Sequence, residues 1–231
     1  TIQEPAGALS VAGVKKWLTE NNRTGVDVVA IASGANMNFD RLQHVAERTQ
    51  IGERREGILA VTIPEQSGSF SKFCRALGSF NITEFNYRYA DQHDANVFVG
   101  IQLKNFDDLN SVLATLKAAE YSAEDLTDNE IAKVHVRHLL GGHAGGASNE
   151  RLFRFRFPER PGALLGFLDA LGGRWNISLF HYRNHGTDYG RVLCGIQVSP
   201  EDHDAFENFL EALGYYYVEE TDNPAYRIFL S

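Results

Sequence analysis

Two short loops in this chain could bind a small carboxylate. The sequence PEQSG at residues 64–68 returns as PERPG at residues 158–162, and each copy lies between a predicted strand and a predicted helix. Gly68 and Gly162 allow the backbone to approach a ligand closely, and the helix start that follows offers unpaired N–H groups with positive dipole character. Such a turn can hold a carboxylate. A tight strand-to-helix turn without a ligand is the alternative that the sequence leaves open.

Each copy also ends its second predicted strand with a tyrosine and an arginine, Tyr87-Arg88 and Tyr182-Arg183. Neighbouring strand residues point to opposite faces of a sheet, so one member of each pair should face the helices and the other should point away. Arginine suits bidentate recognition of a carboxylate, and tyrosine supplies apolar area with one hydroxyl. The alternative is a sheet-face tyrosine beside a solvated arginine.

Other candidate sites have weaker support. Ser33 begins the sequence SGAN after a predicted buried strand and could hydrogen-bond a cofactor ring nitrogen, although a plain turn explains the same residues. The pairs His135/His138 and His181/His185 lack a Cys, Asp or Glu partner at standard ligand spacing. We therefore expect no metal site.

The elements that position these motifs are themselves repeated. Proline 64 returns at 158, an offset of 94 residues, and each copy has the predicted order strand, helix, strand, strand, helix, strand. All four helices carry an apolar stripe at i, i+3, i+4 and i+7, which covers one face of a sheet. The βαββαβ order with one-sided helices predicts an α+β, ferredoxin-like sandwich for each copy. The predicted strands and helices of the two copies are 57–63, 69–77, 82–89, 96–103, 106–118 and 121–126, then 152–157, 163–171, 177–183, 190–198, 201–213 and 215–219.

We expect module 1 at residues 56–128 and module 2 at residues 151–231. Residues 129–150 should form a helix, packed through Ile131 and Val134, followed by the flexible linker GGHAGGASN. A short linker between similar modules favours side-by-side pairing, which could merge two four-stranded sheets into one.

Residues 1–50 differ from the repeat and are predicted to form a helix, a strand and a helix. The first helix is expected at 6–18, a buried parallel strand at 26–32 and an amphipathic helix at 39–48. A buried helical segment at 26–32 is the alternative, because periodicity does not separate the two for a short apolar run.

Composition excludes several classes of partner. The net charge is −8 and the pI is near 5.5, whereas nucleic acids and anionic membranes favour a basic patch, so we expect neither as a partner. No apolar run approaches the roughly 20 residues that span a bilayer, and the first residues show no signal-peptide pattern. Two free cysteines suit a reducing compartment, which predicts a cytoplasmic location.

Three stretches resemble a known family. They are SGANMNFD at 33–40, TEFNYRY at 83–89 and NISLFHYR at 176–183. With them the whole chain resembles the C-terminal part of biosynthetic threonine deaminase (threonine ammonia-lyase), the feedback-regulated form.

The resemblance implies a function that the residue pattern alone does not. In that family an N-terminal fold-type II domain uses pyridoxal phosphate to convert L-threonine to 2-oxobutanoate and ammonia, in isoleucine biosynthesis. The C-terminal part holds two ACT-like modules that bind isoleucine as inhibitor and valine as antagonist, in a tetramer. We therefore expect these effectors, the catalytic domain and further copies of the chain as partners, and a plastid location for a plant source.

The resemblance also assigns residues. Tyr87 and Tyr182 match effector-site tyrosines, Arg183 matches a position linked to feedback sensitivity, and Arg88 is its counterpart by repeat symmetry alone. Ser33 matches a serine near the pyridine nitrogen of pyridoxal phosphate.

The departure from the family is the missing Schiff-base lysine motif and phosphate-binding glycine run. Residues 1–50 therefore look like the tail of a catalytic domain, and we expect this chain alone to bind no cofactor and to have no catalytic residues. Two alternatives stay open: that the whole protein is the enzyme itself, and that the repeats serve only as an oligomerisation module.

Overall fold

The computed structural model divides into two compact units, Thr1–Gly52 and Glu53–Ser231. The residues that the structure describes are 3–35, 38, 42, 45, 46, 49, 55–90, 92–105, 107–139, 141–158, 162–171, 173–184 and 189–230.

The first unit contains the predicted first helix, α1 at Pro5–Glu20, which begins with proline at its first position, where the missing N–H costs nothing. The predicted strand at 26–32 is wrong, because this segment lies in no sheet and Val29 is 91% exposed. Strand N–H and C=O groups need a partner strand, and no described segment of the chain supplies one. Most of the predicted helix at 39–48 lies outside the described residues; those described there, 42, 45 and 46, are helical.

The second unit confirms the predicted order of elements. Module 1 contains β1 (Glu56–Pro64), α2 (Ser69–Leu77), β2 (Ile82–Arg88), β3 (Asp94–Gln102), α3 (Asp107–Ala118) and β4 (Ser122–Asp125). Module 2 contains β5 (Glu150–Pro158), α5 (Ala163–Leu171), β6 (Asn176–Arg183), β7 (Tyr189–Gln197), α6 (His203–Leu213) and β8 (Tyr216–Glu219). The unit also contains two short α-helices, α4 (Glu130–Val134) and α7 (Pro224–Phe229), and 3₁₀ turns at Val136–His138 and Pro200–Asp202.

The two four-stranded sheets merge into one, as the short linker predicts. The strand order is β4-β1-β3-β2-β6-β7-β5-β8, and β2 pairs antiparallel with β6 at the centre, with Phe85 opposite Tyr182 and Tyr87 opposite Phe180. The second strand of each module is therefore also the boundary between the modules. The predicted limits of the modules, at 128 and 151, stay predictions, since the second unit is not itself divided.

One continuous core lies between the sheet and the four module helices. It contains Phe70 and Leu109 from module 1 and Phe167 and Phe206 from module 2. The rings of Phe85 and Phe180 meet edge to face at 5.4 Å across the module boundary. Each amphipathic stripe faces this core, which confirms the ferredoxin-like α+β fold. No described helix is long and apolar enough to cross a membrane.

The opposite face of the sheet holds buried charges beside a smaller apolar cluster. Arg137, which follows α4 in a 3₁₀ turn, donates to Glu84 at 2.8 Å and to Glu56 at 3.3 Å, and all three side chains are buried. The predicted packing of Ile131 and Val134 is wrong: these side chains are 66% and 42% exposed. Two desolvated carboxylates need a cation beside them, and this requirement, rather than the apolar pattern, decides which residues of the linker face the sheet.

Candidate functional site

The first corner is the place where residues 65–68 of module 1 meet Tyr87 and the start of β6. Tyr87 Oη donates a hydrogen bond to the Glu65 carboxylate, and Asn176 Nδ2 donates to Glu65 Oε1 at 2.8 Å. Burial, with the Glu65 hydrogen bond as the next cause, raises the Tyr87 pKa well above its usual range. The phenol therefore stays protonated and remains a donor. Glu65 joins the loop of one module to a strand of the other.

The helix that follows this loop begins without a side-chain cap. Gly68 has a φ of +86° and occupies the N-cap position of α2, a backbone conformation that favours glycine. No side chain caps the helix, but the Ser69 N–H donates to the Gln66 carbonyl at 3.1 Å. A carboxylate would therefore meet the later N–H groups of the first turn. The predicted association of Gly68 with Tyr87 at one corner is present in this geometry.

The first corner is closed. Gly68 lies against Gly173 of module 2, so that a Cβ placed on either glycine would be 3.6–3.7 Å from the other's backbone. The cavity behind this contact has a volume of about 10 Å³, with Ser71, Leu168 and Trp175 among its lining residues. This space suits a single water molecule at most, so an amino acid could enter only if the two glycines moved apart.

Contacts between α2 and α5 hold the corner in this state. Asp169 of α5 accepts hydrogen bonds from Ser71 Oγ at 2.5 Å and from Arg75 Nη2 at 2.6 Å, both on α2. The Arg75 and Asp169 side chains are 57% and 38% exposed, so this ion pair is weak.

Arg88 lies outside the corner, on the opposite face of the sheet from Tyr87. It forms a buried ion pair with Glu150, with side chains 7% and 5% exposed, and it also donates to the carbonyl oxygens of Gly142 and Leu230. Glu150 accepts a further hydrogen bond from Tyr226 of α7 at 2.6 Å. The alternation expected for the Tyr-Arg pair is confirmed, and it places Arg88 where it joins β5, the linker and the last helix.

The second corner is the repeat counterpart of the first, marked by Gly162 and Tyr182 of module 2. It is described only in part, because residues 159–161 lie outside the described residues. Gly162 has a φ of +83°, and Tyr182 is buried in the core. Arg183 lies opposite Glu84 in the β2–β6 pairing, with its Nη1 3.5 Å from His138 Nδ1. No described residue lies within 4 Å of a Cβ built on Gly162, nor of one built on Gly78, the repeat counterpart of Gly173.

The cofactor role predicted for Ser33 stays a prediction. Ser33 is exposed on an extended segment, and its neighbour Gly34 accepts a hydrogen bond from the Glu4 N–H at 3.2 Å. Among the described residues, no group of three or more His, Cys, Asp or Glu side chains could hold a metal ion.

Sequence reasoning missed Glu65 and Asn176, although both belong to the repeated motifs. Glu65 returns as Glu159 and Asn176 repeats Asn81. A carboxylate and an amide kept in both copies could have been singled out with the tyrosines. Their meeting across the module boundary depends on the β2–β6 pairing, which the sequence does not specify.

Comparison with known proteins agrees with the twofold repeat of the chain. The family model of the C-terminal regulatory domain of threonine dehydratase matches twice, at residues 47–136 and 141–230. The chain is 52% identical over 231 residues to L-threonine dehydratase biosynthetic IlvA of Burkholderia multivorans, covering 100% of the chain and 46% of that protein. The corresponding protein of Escherichia coli is 51% identical, with 100% and 45% covered.

A plant relative, threonine dehydratase 1 biosynthetic, chloroplastic, of Solanum lycopersicum, is 47% identical, with 100% of the chain and 38% of the relative covered. The chain thus spans less than half the length of these curated relatives. A solved structure from Galdieria sulphuraria covers 71% of the chain and 96% of its own length at 14% identity, but its TM-score of 0.29 carries no conclusion. With two matched segments that cover most of its length, the chain belongs to the family of the C-terminal regulatory domain of threonine dehydratase.

Proposed function

We propose that this chain senses branched-chain amino acids on behalf of a biosynthetic threonine dehydratase, with isoleucine as inhibitor and valine as antagonist. The observation that carries the proposal is the first corner, where Glu65, Tyr87 and Asn176 from two modules meet beside an uncapped helix start. Family membership supplies the biological setting, and the corner supplies groups of the right chemistry.

The corner can recognise both ends of a zwitterion. The start of α2 would receive the carboxylate, since uncapped N–H groups favour anions. Glu65 carries the negative charge that an ammonium group needs. The Tyr87 ring, packed at 4.9 Å from Phe70, offers apolar area to an alkyl chain.

Regulation follows from the closed state of the corner. Since a cavity of about 10 Å³ excludes an amino acid, an effector binds only to a form in which Gly68 and Gly173 have separated. A ligand that binds one of two forms shifts the equilibrium toward it, and the coupling in such systems is typically about 1–3 kcal/mol. We assign the signal to this separation of α2 from α5.

The parent protein would carry out the reaction outside this chain. In it, a catalytic part with pyridoxal phosphate converts L-threonine to 2-oxobutanoate and ammonia, and the regulatory region contacts that part within a homo-oligomer. Such a protein resides in the cytoplasm, or in the plastid for a plant source. Pyridoxal phosphate added to this chain alone should give no saturable change in absorbance beyond that of the free cofactor.

Titration calorimetry of the folded chain with isoleucine tests the proposal. We expect saturable heat that valine competes away, and a weaker affinity for Tyr87→Phe, which removes one hydroxyl. A folded chain that shows no saturable heat with either amino acid would contradict the proposal.

An oligomerisation module is the second candidate function. Exposed apolar side chains on α4 and α7 favour it: Ile131 is 66%, Ile228 62% and Phe229 66% exposed. Light scattering separates the two functions. If assembly alone is the role, Phe229→Asp should dissociate the chain while Tyr87→Phe leaves both mass and any ligand response unchanged.

A further inference from the structure

We propose that the indole N–H of Trp175 binds the effector carboxylate in the first corner, and that this donor makes the first corner the tighter of the two sites. This inference rests on the proposed function and names a specificity-determining residue for it.

Trp175 carries a hydrogen-bond donor that the closed structure leaves unused. The residue is 6% exposed, and its Nε1 has no hydrogen-bond partner among the described residues. Trp175 lines the small cavity together with Gly68 and Ser71. Buried polar groups without partners are rare in folded proteins, and leaving a buried donor unpaired costs free energy. We therefore infer that this N–H donates to a group of the ligand, which can enter only when the cavity enlarges.

Asn176, the next residue, leaves an acceptor unused at the same place. Its Nδ2 donates to Glu65 and to Gln197 Oε1, at 2.8 and 3.0 Å. Its Oδ1 is buried without a partner among the described residues. The first corner therefore holds one spare donor and one spare acceptor on adjacent residues of module 2.

This pairing selects the chemical class of the ligand. The donors are the Trp175 N–H and the helix start after Gly68, and the acceptors are Asn176 Oδ1 and the Glu65 carboxylate. A simple anion would satisfy only the donors, and a simple cation only the acceptors. A free α-amino acid carries a carboxylate and an ammonium group on one carbon and can satisfy both sets.

The repeat shows what the second corner lacks. The stretch Trp175-Asn176 corresponds to Phe80-Asn81 in module 1. The amide is kept, but phenylalanine has no N–H, so the second corner has no equivalent of the indole donor. Hydrogen bonds to charged groups are stronger than neutral ones, and the first corner should therefore bind the same effector more tightly.

The emission of Trp175 provides a direct test in the full chain. The sequence has two tryptophans, and Trp17 is 51% exposed on α1. In Trp17→Phe the only indole is Trp175, and isoleucine should change its emission with the same Kd as calorimetry reports. Unchanged emission at calorimetric saturation would overturn the proposal.

Substitution of the donor gives the second measurement. Trp175→Phe should weaken isoleucine binding by about tenfold to a hundredfold, the range for a lost hydrogen bond to a charged group. Phe80→Trp, the matched change, should tighten the second, weaker binding event. An unchanged Kd in Trp175→Phe would assign the spare N–H to a buried water and contradict the proposal. A wild-type chain that does not bind isoleucine would instead contradict the proposed function itself.

Discussion

The two halves of this chain share a fold but differ at their corners. In the first, Gly68 and Gly173 are in contact and Asp169 ties α5 to α2. In the second, the corresponding glycines, Gly162 and Gly78, have no described residue within 4 Å of a Cβ. The core and the loop motifs are kept in both copies, and the described contacts at the two pairs of glycines are unequal. We infer from this difference that the first corner is the contact that an effector regulates.

The repeat-related arginines Arg88 and Arg183 also differ in their contacts. Arg88 forms a buried ion pair with Glu150 across the module boundary, whereas the half-buried Arg183 lies beside a Glu84 that Arg137 already neutralises. Repeat symmetry would give both arginines one role. The structure gives Arg88 a role in holding the linker and α7, and the effector role predicted for Arg183 stays a prediction.

The largest expected effect comes from removing the buried arginine. Arg88→Leu should lower the free energy of unfolding by about 3–5 kcal/mol, because it leaves the Glu150 carboxylate buried without its cation. Arg183→Leu, the matched change in the other half, should cost about 1 kcal/mol. Urea denaturation of both variants measures this difference, and equal losses would show that the two arginines are equivalent.

The next effect concerns the glycine contact. Gly173→Val should destabilise the chain by about 1–3 kcal/mol more than Gly78→Val, because a Cβ at position 173 would already be in van der Waals contact with the Gly68 backbone and the two methyl groups need further room. Both positions have a positive φ, +69° and +68°, so the strain of a branched residue is common to the two variants. Thermal unfolding of the pair isolates the contact. Equal melting temperatures would mean that the first corner is not closed in solution.

A smaller effect should appear as a gain in affinity. Asp169→Ala removes the ion pair that holds α2 against α5, and exposed pairs contribute about 1 kcal/mol or less. If the pair stabilises only the closed form, its loss raises the population of the open form, and isoleucine should bind up to about fivefold more tightly. Calorimetry measures this gain; weaker binding would show that Asp169 supports the open form instead.

The smallest effect is a pH dependence on the opposite face of the sheet. Burial raises the pKa of Glu84, an effect that Arg137 partly offsets. A carboxyl whose pKa is higher in the folded state contributes stability at low pH and loses it as the pH rises through that value. Relative to Glu84→Gln, the wild-type chain should therefore lose stability as the pH rises above about 4, the usual pKa of a glutamate side chain. Denaturation series at several pH values test this, and a relative gain over that range would reverse the assigned direction.

The fold could be predicted further than the site. The apolar stripes and the 94-residue repeat indicate two ferredoxin-like modules, because each helix must bury one face and each module repeats that requirement. The face of α4 that packs on the sheet could not be predicted in this way, because Arg137 pairs with two carboxylates that are distant in the sequence. The corner was predicted through Gly68 and Tyr87, which are residues of one module.

The other half of the first corner could not be predicted, because Asn176 and Trp175 reach this corner only through the pairing of β2 with β6. The strand predicted at 26–32 illustrates the same limit. An apolar run indicates what a segment could pair with, but a sheet forms only where the partner strands are present.

The most direct test of the central claim is a reversible closure of the first corner. Cysteines placed at positions 68 and 173 would lie close enough for a disulfide, given the 3.6–3.7 Å contacts there. Calorimetry with isoleucine before and after reduction then compares the two forms of one protein. We predict that the reduced chain shows the tighter of the two binding events and that the oxidised chain lacks it. Isoleucine binding of equal affinity in the oxidised chain would contradict the claim that this corner opens to admit the effector.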